Sequence, residues 1–78
     1  SWHEGRFVFK STRLETVLKQ FARWYDVTVL YENESLKEIL FTGNIRKYED
    51  GSELLDILMD TNKIRFEQKE NIVYVKEK

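Results

Sequence analysis

Few side chains in this sequence could do chemistry. The one histidine, His3, stands beside Trp2 near the start, and nucleophilic catalysis would require a hydroxyl within its reach and a third group to orient it. The pattern around it supplies neither, and His3 reads as an ordinary surface residue. Glu53, Asp56 and Asp60 fall on neighbouring turns of one helical stretch, where carboxylates can hold a hard cation or work as an acid/base pair. They lack the oxygen spacing and the glycine of a calcium loop, so a solvated acidic face is the plainer reading. Gly5, Gly43 and Gly51 match neither the phosphate-cradling loop nor the dinucleotide fingerprint. Without cysteine there is no disulfide framework and no thiolate metal site, and the compartment stays open because such a domain folds equally well in reducing and oxidising surroundings. The expectation is no enzymatic activity, no cofactor and no metal.

The elements that would have to position a site fit in one small domain: 78 residues, 41% apolar and 35% charged, without proline. A chain this short needs most of its apolar side chains for a single core. Its 13 basic and 14 acidic residues nearly cancel, which removes the electrostatic footprint of a general nucleic-acid binder and of a polybasic membrane-surface module. No run approaches the ~20 apolar residues of a membrane span, and the start has neither a charged nor an apolar leader region. The chain reads as a domain excised from a longer protein.

Two periods of apolar residues alternate along it. Residues 6–9 read as a strand, with Phe7 and Phe9 on one face and Val8 on the other. Thr12 to Glu15 fits a capping box, and Leu14, Val17, Leu18, Phe21 and Tyr25 then follow at helical spacing. A β-branched run at 27–31 predicts a second strand, closed by the turn formers Asn33, Glu34 and Ser35. Residues 39–46 alternate as a third, with Gly43 marking a bulge or a close helix crossing. A second helix follows, capped by Asp50 or Ser52, with Leu54, Leu55 and Leu58 inward, Ile57 a further candidate for that face, and Asn62 as a left-handed end. Residues 64–67 and 72–75 flank a polar turn at 68–71 and predict a terminal hairpin.

The order is β-α-β-β-α-β-β, an α+β fold expected as a single mixed sheet with two helices packed on one face. The predicted core is Phe7, Phe9, Leu14, Leu18, Phe21, Val29, Phe41, Leu54, Leu58 and Phe66. The other sheet face would stay open, carrying Val8, Thr28, Leu30, Leu40, Thr42, Arg65 and Tyr74. A slip of one residue in the second strand would exchange Thr28 and Leu30 for Val27, Val29 and Tyr31.

Charge is unevenly spread. Residues 6–23 carry five basic side chains against Glu15 alone, and residues 49–60 carry five acidic ones and no basic one. A basic first helix beside an acidic second one explains this as solvated flanks with modest attraction; steering of an oppositely charged partner is the sharper reading. The element order also resembles the RNA-recognition fold, but the required aromatic motif with basic and glycine neighbours is missing. Asn33-Glu34-Ser35 is formally a glycosylation acceptor, a pattern short enough to arise by chance.

Four blocks in order carry a family resemblance: Trp2 with Gly5 and Phe9; Phe21-Ala22-Arg23-Trp24-Tyr25-Asp26-Val27; Phe41-Thr42-Gly43-Asn44-Ile45; and Leu54-Leu55-Asp56-Ile57-Leu58. Together they resemble the C-terminal domain of FecR-like anti-sigma factors of Bacteroidetes type, over nearly the whole chain. One departure is the absence of the proline with which members often begin the first helix. The resemblance implies a parent with a cytoplasmic sigma-binding segment, one membrane span and a periplasmic part ending in this domain, which would be similar to the short N-terminal domain of secretins and TonB-dependent transporters. It implies one direct partner, the N-terminal signalling domain of a TonB-dependent transporter. The extracytoplasmic-function sigma factor would be reached only through the rest of the parent chain. Nucleic acid and direct membrane contact are not expected of this domain.

A partner site would combine unpaired backbone at a sheet edge with exposed apolar side chains, and the residues expected to carry it are Val8, Leu30, Leu40, Thr42 and Tyr74. Trp24, at the border of the helix stripe, covers an edge of the sheet or serves as a contact residue. The alternative is a structural spacer or dimerisation domain with no transporter contact.

Overall fold

The computed structural model describes residues 2–3, 6–46, 51–59 and 63–78. Their α+β order is β1 (Trp2–His3), β2 (Arg6–Arg13), α1 (Leu14–Tyr25), β3 (Thr28–Tyr31), a 3-10 helix (Glu34–Glu38), β4 (Leu40–Arg46), α2 (Gly51–Met59), β5 (Ile64–Lys69) and β6 (Ile72–Glu77). The strands do not form the single mixed sheet expected. They divide into an antiparallel sheet, β1-β2-β4, and a mixed one, β3-β6-β5. In the second, β3 runs parallel to β6 with Thr28 opposite Ile72 and Tyr31 opposite Val75, and β5 closes an antiparallel hairpin onto β6.

β2 is longer than its apolar run because it stays paired with β4 through Arg13, opposite Leu40. Lys10 and Ser11 are accommodated by a shift of register between Phe9 and Thr12, an extra residue in the manner of a β-bulge. Ser11 adopts a left-handed conformation there (φ 47°), and its N–H donates to Thr42 Oγ1 at 2.9 Å. The bulge therefore lies in β2, not at Gly43. A Cβ on Gly43 would meet nothing within 4 Å, so no close helix crossing explains that glycine either.

α1 begins immediately after β2, and this overturns the capping box. Its N-cap is Arg13 and makes no side-chain cap bond. Thr12 Oγ1 instead accepts from the Lys10 N–H at 3.2 Å. The helix buries Leu14, Val17, Leu18 and Phe21 along one stripe and ends at Asp26, in the left-handed conformation (φ 53°) that commonly stops helices. The Val27 N–H donates back to the Ala22 carbonyl at 3.2 Å.

One core joins both sheets, both helices and the 3-10 helix: Phe9 and Phe41 from the antiparallel sheet, the α1 stripe, Leu36, Leu55 and Leu58 of α2, and Ile64, Val73 and Val75 from the hairpin. Of the predicted core, Val29 and Phe66 are only partly buried and pack on its margin, with Trp24 and Tyr25. The side chains of Phe7 and Leu54 lie outside the described residues, as do Asp50, the Ser52 side chain and Asn62. Ile57 faces outward, 39% exposed. In β3 the burial alternates with Thr28 and Leu30 out and Val29 and Tyr31 half-buried, so the slipped register is not adopted.

Candidate partner-binding surface

The division into two sheets splits the five expected site residues into two patches. Val8 and Leu40, 47% and 56% exposed, lie with Thr42 on the antiparallel sheet, whereas Leu30, 46% exposed, lies on the mixed sheet directly opposite the half-buried Tyr74. Thr42 is exposed, but its hydroxyl oxygen already accepts from Ser11 at the bulge. Leu30 and Tyr74 form a cross-strand apolar pair, with Leu30 on the edge strand β3 and Tyr74 on the central strand β6.

Beside that pair runs a groove of about 770 Å³, bounded by Leu18, Lys19 and Ala22 of α1, by β3, and by Tyr74 and Val75 of β6. The sequence pattern does not reveal it, because it exists only where α1 packs against β3, and β3 in turn pairs with the distant β6. A smaller cleft of about 200 Å³ lies between β4 and α2 above Gly43, walled by Phe9, Phe41 and Ile57.

Charged side chains are organised around one end of the larger groove. Arg13 Nη2 lies 2.6 Å from Glu38 Oε2 and 2.9 Å from Glu15 Oε1, and Lys37 Nζ lies 3.1 Å from Glu34 Oε1 and 3.9 Å from Glu15 Oε2. Glu15, expected as part of a capping box, is thus shared by two cations. The Lys37 ammonium also sits 5.2 Å from the centre of the Tyr31 ring, a cation–π arrangement. Burial, reinforced by the Glu15 charge, pushes the Tyr31 phenol up to about 12, so it stays a neutral hydrogen-bonding group at any physiological pH. On the far strand Glu67 is held below the usual carboxylate range, chiefly by its hydrogen bond to Lys76 at 3.0 Å. These pairs are on the surface and set the shape and polarity of the rim more than the stability of the fold.

Of the acidic residues singled out, Glu53 and Asp56 of α2 are exposed, while Asp60 and the His3 side chain lie outside the described residues. Among the described residues no group of three or more His, Cys, Asp or Glu side chains is placed to hold a metal, and no helix is long and apolar enough to cross a membrane. Trp24 is half-buried, packed on the core margin and edge-on to Tyr25 at 6.3 Å.

Residues 6–75 match the family model for the FecR C-terminal domain. No curated protein matches the chain significantly. Among solved structures, two crystal structures of proteins named as anti-sigma factors from Parabacteroides distasonis share its fold: one at TM-score 0.82 and 15% identity, the other at 0.79 and 16%, each match covering 96% of this chain and 35% of the other. A chain of the InvG N0N1, SpaPQR and PrgHK assembly from the Salmonella SPI-1 injectisome base matches at TM-score 0.77 and 19% identity, over 99% of this chain and 52% of that one. The chain spans about a third of the length of the first two and about half of the third. With nearly all of its length inside the family model and its strands and helices in the same arrangement as these structures, this chain belongs to the FecR C-terminal domain family.

Proposed function

We propose that this domain is a non-enzymatic, periplasmic protein-interaction module of a transmembrane anti-sigma factor. It receives the N-terminal signalling domain of an outer-membrane TonB-dependent transporter, and the rest of the parent chain passes the state of that transporter to an extracytoplasmic-function sigma factor. The observation that carries the reading is the exposed Leu30, opposite the half-buried Tyr74 and beside an apolar groove, on a domain of the FecR family. Apolar surface of this kind is costly to leave in water and is typical of contact sites. The location and the partner follow from what FecR-type anti-sigma factors do.

The test is titration of the labelled domain with the signalling domain of a transporter encoded beside the parent gene, followed by NMR. Saturable shifts centred on β3 and β6 are expected. Shifts confined to α2, or none at high concentration, would leave the spacer or dimerisation reading ahead.

A further inference from the structure

The outer edge of β3 has a specific hydrogen-bonding character. The Thr28 N–H donates to the Asn71 carbonyl and the Glu32 N–H to the Val75 carbonyl, each at 2.8 Å, so residues 28, 30 and 32 turn their backbone groups toward β6. In a parallel ladder the alternate residues must then turn theirs away. The N–H and C=O groups of Val29 and Tyr31 therefore point out of the sheet, and no described strand pairs with them. The groove runs along this edge. Leu18 and Ala22 wall it on the core side, and Leu30 continues it onto the outward face.

The geometry points to strand addition: an extended segment of the partner protein lies along β3 as a fourth strand of the mixed sheet. Its alternate apolar side chains enter the groove, and an acidic side chain meets Lys19. The occupant follows from three observations. Two outward-facing N–H and C=O pairs at strand spacing are satisfied together only by another extended main chain. Charge narrows the side chains: Glu15 is already shared by Arg13 and Lys37, whereas Lys19, one turn further along the same helix face, has no described partner at the groove rim. A second copy of β3 fits poorly, because its core-facing side chains, Val29 and Tyr31, are packed against its own core and could not fill a neighbour's groove. The proposal rests on the partner-binding role stated above and names the mode of contact.

Two probes separate this mode from that role. The first is a blocked heptapeptide of alternating valine and threonine with a central aspartate, added at millimolar concentration to the labelled domain. The second is the transporter signalling domain. Hydrogen exchange at the Val29 and Tyr31 amides is the readout, since neither has a hydrogen-bond partner among the described residues and both should slow by about tenfold or more when a strand is added. Lys19→Glu, an exposed substitution, should weaken both probes. Val29→Pro, which removes an N–H that the β3–β6 pairing does not use, should abolish the protection read at the Tyr31 amide while the circular dichroism spectrum is retained.

Protection of both amides by the peptide supports the edge even if the transporter domain fails to bind, in which case the functional reading falls alone. Binding of the transporter domain with both amides exchanging as before overturns strand addition and leaves the functional reading standing. Unchanged exchange with both probes overturns strand addition. Protection that grows with the concentration of the domain itself, together with a dimer mass, overturns it also, because the occupant would then be a second copy.

Discussion

The amide of Leu14 donates to the carbonyl of Ile39 across 2.6 Å, so the first turn of α1 is tied to the residue that leads into β4. A helix start leaves several N–H groups without intrahelical partners, and a polar side chain usually serves one of them. Here main chain does so, because β2 remains extended and paired up to Arg13 and delivers α1 directly against the entrance to β4. The hydroxyl of Thr12 is consequently free of any capping duty.

Thr12→Ala should therefore cost less than about 0.5 kcal/mol, against about 1 kcal/mol for removal of a working N-cap. Urea denaturation of the variant beside the parent domain measures this directly. A loss of a full N-cap would mean that Thr12 serves the helix after all.

Phe21 closes the buried stripe of α1, 2% exposed, with its ring 4.9 Å from that of Tyr25. Phe21→Ala removes a large fully buried side chain, and it should cost about 3–5 kcal/mol, a large share of what a domain of this size holds. The expected result is a domain largely unfolded at moderate temperature, seen as the loss of a cooperative melting transition. A melting point within a degree or two of the parent would remove Phe21 from the core.

How far such features can be read in advance depends on whether they are local. The helix stripe from Leu14 to Phe21 and the alternation of Thr28 and Leu30 against Val29 and Tyr31 are set by residue spacing, and the structure keeps both. Leu36 escapes, because Asn33-Glu34-Ser35 has the composition of a turn, while Glu34–Glu38 in fact coil into a 3-10 helix that puts Leu36 into the core, 3% exposed. The partition into two sheets escapes for a different reason. Pairing β3 with β6 is a choice between distant segments, and Ile64, Val73 and Val75 become central only once it is made. In the candidate site the exposure of Leu30 follows from alternation alone, but the groove beside it and the free edge of β3 depend on that long-range pairing.

Gly43 sits opposite Phe9 in a regular β4 position, with open space where a side chain would stand. A glycine there weakens the strand by leaving the unfolded chain more freedom to lose. Gly43→Ala should stabilise the domain by about 0.4–1 kcal/mol, read as a higher urea midpoint with an unchanged slope. A destabilised variant would show that the cleft above β4 is needed empty or filled by another group.

The raised Tyr31 phenol has a signed consequence. Its folded value, about 12, lies above the ordinary 10.0, so the contribution it makes is complete below pH 10 and is lost as the pH climbs toward 12, where the unfolded chain ionises first. The parent domain should lose stability over that interval more steeply than Tyr31→Phe. Urea midpoints from pH 8.5 upward compare the two, and parallel curves would show that Tyr31 titrates alike in the folded and unfolded chains.

The parallel pairing of Thr28 with Ile72 also sets an order of events for a chain delivered from one end. The strand that supplies Val73 and Val75 to the core is the last of the domain to be synthesised, and β3 can find no sheet until it arrives. Closing so long a loop costs entropy before any contact compensates for it. A nascent chain is thus held without its final packing, exposing the α1 stripe to whatever chaperone or protease attends it. The free edge of β3 takes its place in a sheet only when the whole domain has emerged.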